Sequence, residues 1–123
     1  MKTTWLARIV TGIPVAFLAL DGAIKLFDPA PVRDAMAKLG IPDGLAPALG
    51  VVLLGCLALY MAKRTAPIGA VLLTGFLGGA VAMHVRVGDP LATHVLTPVY
   101  VAVLLWGGLY LRDTRVRALV KGL

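Results

Sequence analysis

The chain has 123 residues, of which 59% are hydrophobic and 15% charged, with a formal net charge of +6 and a mean hydropathy of +0.91. A soluble domain of this length needs a polar shell, whereas here the apolar runs are too long for a core helix to hide, so lipid is the expected solvent. Four spans of about 20 residues use most of the chain, which excludes a second, soluble domain.

The first expected span runs from about Trp5 to Phe27 and closes at Asp28-Pro29. Lys2 and Arg8 precede the apolar stretch Ile9 to Leu20, as they would in a signal peptide, but Ala19 to Ala23 offers no clean small-x-small cleavage site. Removing the segment would also leave three spans with conflicting charge placement, so an uncleaved first helix is expected. Within it, Pro14 is expected to kink the helix. Asp21 and Lys25 are four residues apart, on one helical face, with Asp21 about 9 Å below the helix end. Charges in hydrocarbon are costly unless paired, so a mutual ion pair is one reading. The alternative, in which Lys25 snorkels outward to Asp28, stays open.

Between the first and second spans, Pro31 to Leu39 sets Val32, Met36 and Leu39 apart from Arg33, Asp34 and Lys38. This spacing predicts a short amphipathic helix on the membrane surface. The second span, about Leu45 to Ala62, ends at Lys63-Arg64, and the third, about Pro67 to Val87, ends at Gly88-Asp89-Pro90. The fourth is expected over about His94 to Leu111, with a second kink at Pro98 and a stop at Arg112-Asp113. Gly50, Gly55, Gly69, Gly75, Gly78, Gly79, Gly107 and Gly108 are expected at close helix contacts.

An even number of spans gathers Lys2, Arg8, Lys63, Arg64, Arg112, Arg115, Arg117 and Lys121 on one side with Asp113, eight cations against one anion. The other side collects Lys25, Arg33, Lys38 and Arg86 against Asp21, Asp28, Asp34, Asp43 and Asp89, four against five. Cytoplasmic loops carry the excess of Lys and Arg, so both termini are expected in the cytoplasm of a multi-pass cell-membrane protein. The positive charge therefore signals topology and attraction to anionic lipid, and no nucleic-acid partner is expected. Trp5, Tyr60, Trp106 and Tyr110 fit an interfacial aromatic belt.

The remaining ionisable groups converge at the outer end. His84 and Arg86 finish the third span, Asp89 lies in the loop, and His94 begins the fourth. With Asp21 and Lys25 they define one expected polar pocket opening outward, while the cytoplasmic half of the spans holds almost no such group. That asymmetry argues against a conduit, which needs polar groups from end to end. His84 as a hydrogen-bonded packing residue and Asp89 as a turn residue are the simpler readings of each alone. Asp21, His84, Asp89 and His94 lack helical ligand spacing such as His-x-x-x-His, so no metal site is expected. Cys56 is the single cysteine, which rules out an internal dithiol couple and leaves it a packing role.

The segments Gly22-Ala23-Ile24-Lys25-Leu26 and His84-Val85-Arg86-Val87-Gly88-Asp89-Pro90, followed by Pro98, resemble the DoxX-like family of small four-helix membrane proteins. The resemblance covers nearly the whole chain and implies an all-α, tight four-helix bundle. Through relation to the DoxD subunit of thiosulfate:quinone oxidoreductase it also implies a link to quinone or thiol redox chemistry. Two function classes stay open. One is a quinone-associated redox subunit, in which Lys25 or His84 meets a quinone carbonyl and a redox partner protein supplies electrons. The other is a non-catalytic binding or assembly protein for a lipid, small metabolite or partner protein. A homo-oligomer is compatible with either.

Overall fold

The computed structural model describes residues 2–123, apart from the side chains of Lys2 and Thr3, so the charge counted on Lys2 lies outside the described residues. The order is α1 (Lys2–Phe27), α2 (Ala30–Lys38), α3 (Ala46–Met61), α4 (Ala66–Arg86), a π-helical turn (Leu91–Val95), α5 (Thr97–Arg112) and α6 (Thr114–Lys121). Helices α2, α3, α4 and α5 each carry a proline in their first two positions. There the missing N–H is no loss and the fixed φ favours the helical turn. The amphipathic segment expected between the first two spans is helical, as α2, and buries none of its residues.

Three stretches are long and apolar enough to cross a membrane: Thr4–Phe27, Ala66–Arg86 and Leu91–Arg112. Helix α3 is equally apolar but has 16 residues, about 24 Å of helix against a hydrocarbon core of about 30 Å. Helix α1 packs on α3 and α5, and α4 closes the other side by packing on the same two helices. Leu18, Leu53, Leu57, Tyr60, Leu73, Leu77, Leu105 and Leu109 form the core between them. The outer surface is apolar too: Trp5, Ile13, Phe17, Val51, Ile68, Val71 and Val103 are all exposed. An all-α bundle of helices that is apolar inside and out is stable only with hydrocarbon around it.

Close approach is concentrated at a few glycines. A methyl group at Gly50 would lie 2.8 Å from the Gly22 carbonyl oxygen, so α1 and α3 meet backbone to backbone there. Gly108 abuts Thr11 between α5 and α1, and Gly69 abuts the backbone of Tyr60 between α4 and α3. Gly55, Gly75, Gly78 and Gly79 instead face open space. The expectation of contact is therefore met at some glycines and corrected at others, because composition does not say which face of a helix turns inward.

Pro98 interrupts the stretch Leu91–Arg112 near its start. It stands in the first turn of α5, where it has no N–H to donate to His94, so the α-helical ladder cannot run through. The residues before it wind more widely, with Val95 N–H donating to the Pro90 carbonyl and Leu96 N–H to that of Leu91. His94 thus belongs to a π turn rather than to the start of a continuous fourth helix. Pro14 does lie inside α1, fully buried.

Tyr60 leaves the expected aromatic belt altogether. It is 0% exposed, its hydroxyl donates to the Leu105 carbonyl at 2.5 Å, and the Arg112 guanidinium lies 4.7 Å above its ring. Helix α6 was not foreseen. Asp113 caps it by accepting from the Arg115 N–H at 2.9 Å. Arg115 in turn reaches the carbonyls of Lys63 and Arg64, and Arg117 those of Tyr110 and Leu111. These contacts bind α6 to the ends of α3 and α5.

Candidate functional site: a polar cavity at one end of the helices

The last turn and a half of α1 contributes two charges to one face. Lys25 Nζ donates to Asp21 Oδ2 at 2.5 Å, and the lysine side chain is only 13% exposed against 40% for the aspartate. The i, i+4 spacing brings them together. Asp28 is occupied elsewhere, 3.6 Å from Arg33 Nε, in a positive-φ conformation (φ 51°) that ends α1. Lys25 therefore turns inward to Asp21 instead of outward to Asp28.

Helix α4 supplies His84 in its last turn. Gly88, at φ 73°, bends the chain back in a conformation costly for any residue with a side chain. This bend carries Asp89 beneath the imidazole, and Asp89 Oδ2 lies 2.6 Å from His84 Nδ1. A carboxylate there accepts from Nδ1–H and leaves Nε2 to meet a ligand, as an acceptor in the neutral ring and as a donor in the imidazolium. The π turn then places His94 edge-on to His84, ring centroids 5.7 Å apart at an interplanar angle of 69°. The Thr93 hydroxyl lies 2.8 Å from His94 Nδ1.

Asp21, Lys25, His84 and His94 line one cavity of about 230 Å³ between α1, α4 and α5, walled otherwise by Phe17, Leu18, Phe76, Leu77, Thr97 and Pro98 among others. Asp89 does not line it but holds one of its histidines. Arg86 does not join the group. Its guanidinium donates to the Leu39 carbonyl and crowds Gly40, tying the end of α4 to the end of α2. Sequence reasoning had no place for Phe17, Phe76 or Thr97, which are unremarkable in a hydropathy profile and acquire meaning only from the cavity they face. Among the described residues no group of three or more His, Cys, Asp or Glu is placed to hold a metal ion.

A cavity with two cationic or proton-bearing side chains, each held by its own carboxylate, and two aromatic walls suits a small planar ligand with carbonyl or anionic oxygens. The apolar helices with this site at one end define a multi-pass membrane protein that contacts the lipid bilayer. The sequence profile of the DoxX-like family matches residues 9–108, and the chain belongs to that family. No curated protein and no solved structure matches it.

Proposed function

We propose that this is a cell-membrane four-helix bundle with both termini cytoplasmic, serving as a quinone-associated redox subunit whose cavity opens outward. The observation that carries the reading is the convergence of Lys25 and His84 on one cavity from different helices, each paired to a carboxylate. The fit is physical: about 230 Å³ admits one six-membered ring, Phe17 and Phe76 supply apolar faces, and Lys25 and His84 supply donors for carbonyl oxygens. Reduction of a quinone takes up two electrons and two protons, the electrons coming from a partner redox protein. Lys25 and the imidazolium form of His84, whose Nδ1–H is held by Asp89 while Nε2–H faces the ring, orient it by hydrogen bonds and hand protons to its oxygens, and Asp21 and Asp89 hold them in place for this. Helix α3 completes the bundle as a short span, which neighbouring helices and local bilayer thinning accommodate.

The chain has two histidines, so selective ¹⁵N-imidazole NMR in nanodiscs follows both at once. Titration with a tailless benzoquinone shifts the His84 signals in the wild type and leaves them unmoved in Lys25→Ala. Unmoved signals in the wild type refute the quinone reading.

A second reading is favoured by the single cysteine, which leaves the chain no dithiol couple of its own. On it, the same cavity binds a lipid head group, small metabolite or partner segment without redox chemistry.

A further inference from the structure

The cavity shares two of its walls, Leu77 and Pro98, with a groove of about 430 Å³ on the lipid-facing side of α4 and α5. The groove is lined by Thr74, Gly78, Val81, Val99, Ala102 and Trp106 besides those two. Its one polar contact is internally closed: Trp106 Nε1 donates to Thr74 Oγ1 at 2.7 Å, and that hydroxyl donates to the Ala70 carbonyl at 2.7 Å. Nothing in it asks for water. From Val81 and Pro98 beside the cavity to Thr74 and Trp106 at its floor, the groove runs about 10–12 Å along the helices. It therefore leads from the polar end toward the middle of the membrane, the direction in which the tail of a lipid extends below its head. In the wall between cavity and groove, at Pro98, the backbone passes from π to α winding without an N–H bond.

We propose that the ligand is a single-tailed amphiphile which reaches the site sideways from the bilayer between α4 and α5, its ring in the cavity and the first part of its tail in this groove. The inference rests on the cavity reading above and adds that a water-soluble metabolite is not the ligand class. A side chain at Gly78 tests it, because a methyl group there meets nothing within 4 Å, so a larger residue projects into the groove without disturbing the core. Gly12, on α1, is equally open and serves as the control position.

Binding of a tailless benzoquinone and of the same ring with a decyl tail is measured in nanodiscs for wild type, Gly78→Leu and Gly12→Leu. Partition of a given ligand into the bilayer is common to all three proteins, so comparison between proteins cancels it. Gly78→Leu is expected to weaken the tailed ligand about tenfold and to leave the tailless ring unchanged, with Gly12→Leu like wild type for both. If the tailed ligand binds Gly78→Leu as well as wild type, the groove assignment is overturned while the cavity reading stands. If the wild type binds neither ligand, both are overturned.

Discussion

Lys25 and Asp21 form an ion pair at 2.5 Å in which the lysine is the more deeply placed partner, 13% exposed against 40%. In the last turn of α1, the lysine of this pair puts a cation beside the cavity in a largely buried position where an unpaired one would be costly. Its neighbours across the cavity are His84 and His94, from α4 and the π turn.

Removing the cation therefore exposes the cost of the anion. Lys25→Ala leaves Asp21 without its partner and is expected to destabilise the folded protein in detergent by about 1–3 kcal/mol, less than for a fully buried pair because Asp21 is partly accessible. Lys38→Ala, at the exposed end of α2, is expected to stay within about 0.5 kcal/mol of wild type. Equal losses in a thermal or denaturant titration would show that Lys25 is not held in the interior.

The glycine contacts separate in the same assay. Gly50→Ala drives a methyl group against the Gly22 carbonyl oxygen, 2.8 Å away, and the Leu26 nitrogen, 3.1 Å away, and should cost about 1–3 kcal/mol. Gly55→Ala meets open space and should be neutral or stabilising by up to about 1 kcal/mol through helix propensity. A reversed order would mean that α1 and α3 do not meet at Gly50.

Topology is accessible to thiol labelling in a Cys56→Ala background. Lys121→Cys in α6 should react with a membrane-impermeant reagent only after permeabilisation, and Lys38→Cys in α2 in intact cells. The opposite pattern inverts the orientation and places the cavity on the cytoplasmic side.

The attachment of α6 depends on pH through Asp113. The hydrogen bonds from the Arg115 side chain hold the Asp113 carboxyl below its ordinary value, against a smaller opposing effect of burial. A carboxyl whose folded pKa lies below its unfolded value of about 3.9 stabilises the folded state at neutral pH, and that stabilisation is lost as pH falls through the folded value. Amide exchange in α6, compared at each pH with an unstructured reference peptide, should thus stay protected down to about pH 4 and lose protection below it. Asp113→Asn should remove this acid step. Protection that is independent of pH in both proteins would remove Asp113 from the attachment.

Much of this arrangement is legible in the sequence, for physical reasons that also mark where legibility stops. Apolar runs bounded by prolines and charges locate α1, α3, α4 and α5 because both lipid and core exclude charge. The i, i+4 rule predicts the Asp21 and Lys25 pair, and the shared level of the ionisable groups predicts that His84 and His94 meet near it. Arg86 illustrates a limit of depth alone: two residues beyond His84, it is turned about 200° around the helix and so faces away. Tyr60 shows another, since an aromatic near a helix end is equally apt for an interfacial belt and for a hydrogen-bonded core, and only the Leu105 carbonyl decides. The π turn had a sequence signal in Pro98, whose missing N–H falls opposite His94. Helix α6 had one too, in the Asp113 cap followed by Val116, Leu119 and Val120 on one face. Both were masked by the stronger hydropathy pattern beside them.

The most direct test of the central claim, that the cavity between Lys25 and His84 holds a quinone, is native mass spectrometry of the protein extracted gently from its own membranes, wild type beside Lys25→Ala, with identification of any co-purifying small molecule. The account predicts a bound quinone on the wild type that is absent from the variant. A wild type that carries no quinone, or a variant that retains it undiminished, contradicts it.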